Sequence, residues 1–226
     1  LPDNLKPFYA EREVLHVDGS FIPLAWRQSF AGELTRSSMG LAQDAFVMAS
    51  FGNTYKLNPT LFDAWLGLLR DLPHAVLWLM DDNPDTTRHL KQQALAKGIA
   101  NDRMVFTPRV SHEKFRAQLC LANVFLDTYP YNCGSTSKDV IDAGVPLVTL
   151  RGRTQVSRMG SSMLKSLGLH ALVANDWNEY QNTVKRLALG ELKVDVRSHA
   201  QNHASQAIVR LVRSLERGLR ELQPQA

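Results

Sequence analysis

Ala45-Phe46-Val47-Met48-Ala49-Ser50-Phe51, then Gly52-Asn53-Thr54-Tyr55-Lys56-Leu57-Asn58-Pro59, then a helix-spaced run to Leu72 and the second apolar run Ala75-Val76-Leu77-Trp78-Leu79-Met80 decide the fold. Both outer runs are apolar without alternation, which is the pattern of strands covered on both faces. Between them Leu61, Phe62, Trp65, Leu68 and Leu69 recur at helical spacing. Asn58 is placed to cap that helix. Pro59 suits its first position, because the N–H that proline lacks would have no partner there. Pro73-His74 ends the helix. The unit is strand, turn, helix, strand.

The alternation continues along the chain. Asn83-Pro84 opens a polar helix to about Lys97, and Arg103 to Phe106 is the next strand. Ser111 caps a helix to about Leu121, followed by the strand Val124-Phe125-Leu126. Ser135 to Ala143 is a short helix ended by Gly144, and Pro146 leads into Leu147-Val148-Thr149-Leu150. A helix is expected from Gln155 to Leu167, ended by Gly168, and a last strand at Ala171-Leu172-Val173. Asp176-Trp177-Asn178-Glu179 reads as a capping box, with Glu179 reaching back. The tail, about His199 to Leu222, is a basic amphipathic helix. Short apolar strands separated by helices predict an α/β fold: a Rossmann-like, doubly wound parallel sheet with helices on both faces. Residues 45–195 form that domain and residues 196–226 a C-terminal amphipathic helix. Residues 1–44 read as the tail of a preceding lobe or a linker, with one strand at Glu13-Val14-Leu15-His16-Val17 and an irregular stretch from Phe21 to Ser29.

Bulk properties narrow the function. The chain has 226 residues, 44% hydrophobic and 21% charged, enough to bury a full core. A net charge of +4, spread without a dense Lys/Arg run, argues against a nucleic-acid partner. No apolar run approaches the ~20 residues that span a bilayer, and no signal peptide opens the chain, so no membrane role is expected. Cys120 and Cys133 show no metal spacing and read as reduced thiols of a cytoplasmic protein. The start Leu1-Pro2-Asp3-Asn4 has no initiator methionine, which reads as a fragment of a longer protein. There is no repeat of about 34 residues and no low-complexity segment.

Ligands of doubly wound sheets bind beyond the carboxyl ends of the strands. The first candidate there is Gly52-Asn53-Thr54-Tyr55-Lys56, a turn and a lysine at a helix entry, which suits a diphosphate. It is neither a Walker A loop nor GxGxxG, and a solvated loop lysine fits the spacing as well. The second is Asn132-Cys133-Gly134-Ser135-Thr136-Ser137-Lys138-Asp139, where Gly134 allows close approach, Ser135 and Thr136 offer hydroxyl and backbone donors, and Asp139 could accept from a ribose. An ordinary N-cap reads the same way. The third is Arg109-Val110-Ser111-His112, with His112 facing a ligand or solvent. Arg151 and Arg153 read as surface charge, Arg158 as a structural donor, and Asp81-Asp82 as an acidic lead-in to a helix.

Taken in order, Phe51 to Pro59, Val76 to Leu79, Leu126-Asp127-Thr128-Tyr129-Pro130-Tyr131-Asn132, Thr136 to Asp139 and on to Pro146, and Ser157-Arg158 with Ser161-Ser162 resemble the C-terminal catalytic lobe of the protein O-GlcNAc transferases. The likeness runs from about Gly40 to Gly190. It implies one lobe of a GT-B glycosyltransferase that inverts at the sugar, uses UDP-GlcNAc without a metal or other cofactor, and modifies Ser/Thr of a protein acceptor. By the same resemblance Lys56 is the catalytic lysine at the diphosphate, and Asn53 stands where the family has a glutamine. Ser135 and Thr136 match the paired hydroxyl residues, Asp139 the ribose aspartate, and the Val110 backbone the neighbour of uracil. His112 takes the place of a lysine near the nucleoside. Gly134 replaces a histidine beside the hydroxyl pair, and Phe115 and Gln118 replace a histidine and an arginine.

The loop Gly52-Asn53-Thr54 with Lys56-Leu57-Asn58-Pro59 is also similar to bacterial N-glycosyltransferases that use UDP-glucose. A nucleotide-sugar-binding or interaction module without catalysis is a further reading. The resemblance implies partners outside this chain: an N-terminal catalytic lobe with a proposed catalytic histidine, and tetratricopeptide repeats that bind protein substrates. The chain alone is expected to bind UDP weakly and to transfer little sugar.

Overall fold

A computed structural model describes residues 3–10, 15–25 and 34–222. Six parallel strands form the sheet: β1 (Phe46–Ser50), β2 (Ala75–Asp81), β3 (Met104–Pro108), β4 (Val124–Leu126), β5 (Leu147–Leu150) and β6 (Val173–Ala174). Their order is β3-β2-β1-β4-β5-β6. The register sets Val47 beside Val76, Met48 beside Val124, Trp78 beside Val105, Phe125 beside Leu147 and Thr149 beside Val173. Successive strand residues point to opposite faces. Ala75 through Met80 are all buried, so both faces of β2 are covered. That is the doubly wound arrangement expected from the unbroken apolar runs.

The helices are α1 (Pro59–Asp71), α2 (Pro84–Ala96), α3 (His112–Leu119), α4 (Gly134–Ala143), α5 (Met159–Ser166), α6 (Trp177–Ala188) and α7 (Val196–Glu221). Their starts follow local chemistry. The Asn58 side-chain oxygen Oδ1 accepts from the Leu61 N–H at 3.1 Å, and Asn83 Oδ1 accepts from the Asp85 and Thr86 N–H groups. Asp176 accepts from Glu179 N–H, but the Glu179 carboxylate reaches the Asn175 N–H, one residue beyond a reciprocal box. Gly144 ends α4 at φ +75°, a left-handed conformation that other residues adopt only with strain. Helix α1 is tied to α6 by a buried bond from Trp65 Nε1 to the Tyr180 hydroxyl, 3.2 Å. Leu24 and Leu41 join the core cluster, as do Val196, Ala200, Ala204 and Ala207 of α7.

Three expectations shift. The helix expected from Gln155 to Leu167 is a 3-10 turn, Gln155–Ser157, followed by α5. The Ser157 hydroxyl binds back to the Thr154 carbonyl, and Gly152 N–H to the Ser157 carbonyl, so the chain turns before it can run on as one helix. The last strand lies at Val173–Ala174, because His170–Leu172 is a 3-10 turn and Val173 is the residue in register with Thr149. Of the strand expected at 13–17, Glu13 and Val14 lie outside the described residues, and 15–17 carry no regular structure. Residues 21–25 are irregular, and 26–29 lie outside the described residues. Among the described residues no helix is long and apolar enough to cross a membrane.

Candidate functional site

The strand order reverses direction between β1 and β4, and the loops leaving those two strands splay apart at their carboxyl ends, opening a crevice. A cavity of about 600 Å³ lies there. Its walls come from the loop after β1, the end of β2, the β3–α3 loop, the start of α4 and Met159 of α5. All eight residues singled out from the sequence, Asn53, Lys56, Val110, His112, Gly134, Ser135, Thr136 and Asp139, line it. Lys56 and Thr136, eighty positions apart, therefore face one space.

The lysine is not a free surface charge. Its half-buried side chain places Nζ 3.0 Å from the Asn132 carbonyl and 3.9 Å from the centroid of the Tyr131 ring. A carbonyl and a ring face hold the ammonium in place without neutralising it. Among the described residues no carboxylate pairs with it. The approach loop is held by Asp82, whose carboxylate accepts from the Thr54 N–H (3.2 Å) and hydroxyl (2.7 Å). Asp81 accepts from Thr87 instead. The two acids diverge and form no acid–base pair. Arg109 donates to Asn53 Oδ1 at 2.5 Å across the cavity mouth.

Opposite stands the amino end of α4. The first N–H groups of a helix have no partner within it and carry the positive end of the dipole, so this rim attracts an anion. One turn in, Asp139 Oδ1 lies 3.0 Å from His112 Nε2. His112 is 68% exposed and Asp139 20%, so the pair stands at the edge of the cavity with the aspartate on the inside. The His112 ring stacks on Phe115, which packs edge-on against Phe51.

The loop between β4 and α4 is stapled from below. Asn132, fully buried, donates to the Thr128 carbonyl at 2.8 Å, and Asn58 donates to the Tyr129 carbonyl at 2.6 Å. Asp127, also fully buried, accepts from the Cys133 N–H and the Thr149 hydroxyl, both at 2.7 Å. Burial pushes its carboxyl up to about 6 against those hydrogen bonds, which pull the other way. Burial, and then the nearby Asp127 charge, push the Cys133 thiol up to about 12, so it packs as a neutral side chain. Among the described residues neither Cys120 nor Cys133 forms a disulfide.

Sequence reasoning passed over two features. Met159 caps the place left by Gly134: a Cβ added there would meet the methionine methyl at 2.5 Å, so a side chain from a different helix fills the vacancy. Tyr131, whose ring lies under the Lys56 ammonium, has no role in the sequence pattern. Of the two departures that the resemblance singles out on α3, Phe115 lines the cavity, whereas Gln118 does not and donates to Thr107 at 2.9 Å. An exposed tyrosine in a post-strand loop is a readable signal; a methionine one helix away is not. Gly160 shows how tightly this floor is packed. A Cβ there would run into the Asp127 carboxylate and sit 2.7 Å from Thr149 Oγ1. Gly160→Ala is expected to lower stability by about 1–3 kcal/mol in urea unfolding, the usual cost of overpacking. Among the described residues no three His, Cys, Asp or Glu side chains gather as a metal site.

A parallel sheet in this order, with its cavity at the switch point, is the Rossmann-like lobe from which GT-B glycosyltransferases are built. Residues 31–210 match Glycosyl transferase family 41, and the chain belongs to that family. It is 32% identical over 160 residues to the probable UDP-N-acetylglucosamine–peptide N-acetylglucosaminyltransferase SEC of Arabidopsis thaliana, covering 70% of this chain and 16% of that protein. The UDP-N-acetylglucosamine–peptide N-acetylglucosaminyltransferase of Caenorhabditis elegans is 31% identical over 153 residues, 68% of this chain and 13% of its own length. The chain therefore spans about a sixth or less of these relatives. Among solved structures, a lysine-to-methionine mutant of the O-GlcNAc transferase of Thermobaculum terrenum superposes with a TM-score of 0.80 at 25% identity, covering 97% of this chain and 42% of that one. HepE of Anabaena, in complex with UDP and glucose, shares the fold at TM-score 0.57 and 18% identity, over 83% of this chain and 51% of that one.

Proposed function

We propose that this chain is the UDP-sugar-binding lobe of an inverting glycosyltransferase that moves GlcNAc, or another hexose, onto Ser or Thr of a protein. The observation that carries this reading is the convergence of Lys56 and the start of α4 on one cavity at the sheet's switch point. In it the diphosphate lies between the Lys56 ammonium and the backbone and hydroxyl donors of Ser135 and Thr136. Asp139 accepts from the ribose, with His112 beside it. The Val110 backbone borders the base, and Asn53 and Gly134 line the diphosphate's approach. As the glycosidic bond breaks, negative charge grows on the departing diphosphate, and these preorganised groups stabilise it more than they stabilise the intact donor. The lysine and helix dipole supply the positive charge, so no metal or other cofactor is called on.

The rest of the enzyme supplies the partner lobe, which carries acceptor contacts, and tetratricopeptide repeats that bind the protein substrate in the cytoplasm. Calorimetry of this chain with UDP tests the donor half of the reading. Weak binding is expected, with the same affinity in the presence of EDTA. Folded protein that gives no heat with UDP, or binding that EDTA abolishes, would overturn it.

A further inference from the structure

The loop between β5 and α5 carries positive charge that the donor cavity does not use. Arg151 and Arg153 follow β5, Arg158 precedes α5, and Lys165 lies seven residues further, two turns on and so on the same side of the helix. Gly152 N–H closes the loop onto the Ser157 carbonyl at 2.8 Å. Arg158 Nη1 donates to the Gly152 carbonyl at 3.0 Å, which folds that guanidinium back beside Arg151. Arg210 of α7 donates to the Ser166 carbonyl at 3.0 Å, at the far end of α5.

None of the first four pairs with a carboxylate among the described residues. Burial, and then the charge of Arg151, hold Arg158 below its ordinary value. Burial, Arg151 and Arg158 do the same to Lys165. Like charges assembled without counter-charge repel one another, and an incoming carboxylate relieves them. The cluster also borders the donor cavity: Met159, next to Arg158, lines it and lies over Gly134.

We propose that Arg151, Arg153, Arg158 and Lys165 form a docking face for an acidic stretch of the protein acceptor, held beside the donor cavity. This rests on the acceptor being a protein. The favoured partner is a carboxylate-rich peptide rather than a nucleic acid. Residues 151–169 contain no aromatic side chain on which a base could stack, and the chain as a whole carries only +4.

The test is fluorescence anisotropy of this chain with a labelled peptide in which glutamates flank a serine, beside the same peptide with glutamines. The variant Arg151→Gln/Arg153→Gln/Lys165→Gln leaves Arg158 to hold the loop, and UDP calorimetry on it serves as a check of fold and donor site. The glutamate peptide is expected to bind, to weaken as salt is raised, and to bind the variant about tenfold less tightly, while UDP affinity stays the same. Equal affinity of the variant, equal affinity of the glutamine peptide, or tighter binding of a single-stranded oligonucleotide of the same charge would overturn the proposal. Loss of UDP binding in the unaltered chain, with the peptide result intact, would instead sink the donor reading and leave this face standing.

Discussion

Lys56→Ala in the complete enzyme is expected to lower kcat for sugar transfer by about 10²–10³-fold, the usual cost of removing one preorganised donor from a site of developing negative charge. UDP affinity is expected to fall by a smaller factor, about tenfold or more, as for loss of one charge-assisted hydrogen bond. The difference between the two factors is the informative quantity. Loss of a lysine that only attracted the donor would raise KM and leave kcat alone, because ground state and transition state would lose equally. Here the ammonium is held 3.0 Å from a carbonyl and 3.9 Å from a ring centroid, both neutral, so in the proposed role its charge is available to a leaving diphosphate. Single-turnover and steady-state assays on wild type and Lys56→Ala separate the cases. An unchanged kcat would remove Lys56 from the chemistry while leaving the fold untouched.

Much of this arrangement was legible because the elements that build it obey local rules. Asn58-Pro59, Asn83-Pro84 and Ser111 each sit at the start of a helix that forms where it was predicted. The unbroken apolar runs fixed a parallel sheet, and a parallel sheet fixes which ends face the ligand. Once the strands were placed, Lys56 and Thr136 had to emerge at the same edge. What was not legible depends on contacts between distant segments. The break before α5 is made by hydrogen bonds from Ser157 and Gly152, which no helical periodicity announces. Met159 over Gly134 is a tertiary substitution, visible only when α4 and α5 are side by side. Arg151 and Arg153 read as ordinary surface charge, since the nearness of Arg151 to Arg158 and Lys165 follows from that same break in the chain. Asp127 was quoted as part of a motif, but nothing in Leu126-Asp127-Thr128 says that the carboxylate points inward.

That inward carboxylate makes the second prediction. Asp127 has an ordinary value of 3.8 and is raised to about 6 by burial, so the folded protein holds its proton more tightly than the unfolded chain does. Below pH 3.8 both states are protonated and the group costs nothing. Between 3.8 and about 6 the unfolded chain ionises first, so stability falls as pH rises, and above 6 the full cost is present. The rise from 3.8 to about 6 corresponds to about 3 kcal/mol. Asp127→Asn removes the charge and keeps both hydrogen bonds, since its carbonyl can accept from the Cys133 N–H and the Thr149 hydroxyl can turn to accept from its amide. The asparagine variant is expected to match wild type near pH 4, to exceed it by up to about 3 kcal/mol at pH 8, and to lose this component of the pH slope in urea unfolding.

Asp127→Ala should behave oppositely. It strands the Cys133 N–H and the Thr149 hydroxyl without partners, at about 2–5 kcal/mol, and frees Cys133, the residue that caps α4. Because the helix start is one wall of the donor cavity, the alanine variant should also bind UDP more weakly, while asparagine leaves UDP affinity near wild type. A wild-type protein and an asparagine variant with the same stability slope between pH 4 and 7 would mean that Asp127 does not titrate in this range. An alanine variant with unaltered UDP affinity would mean that the buried carboxylate holds up the fold but does not shape the anion seat.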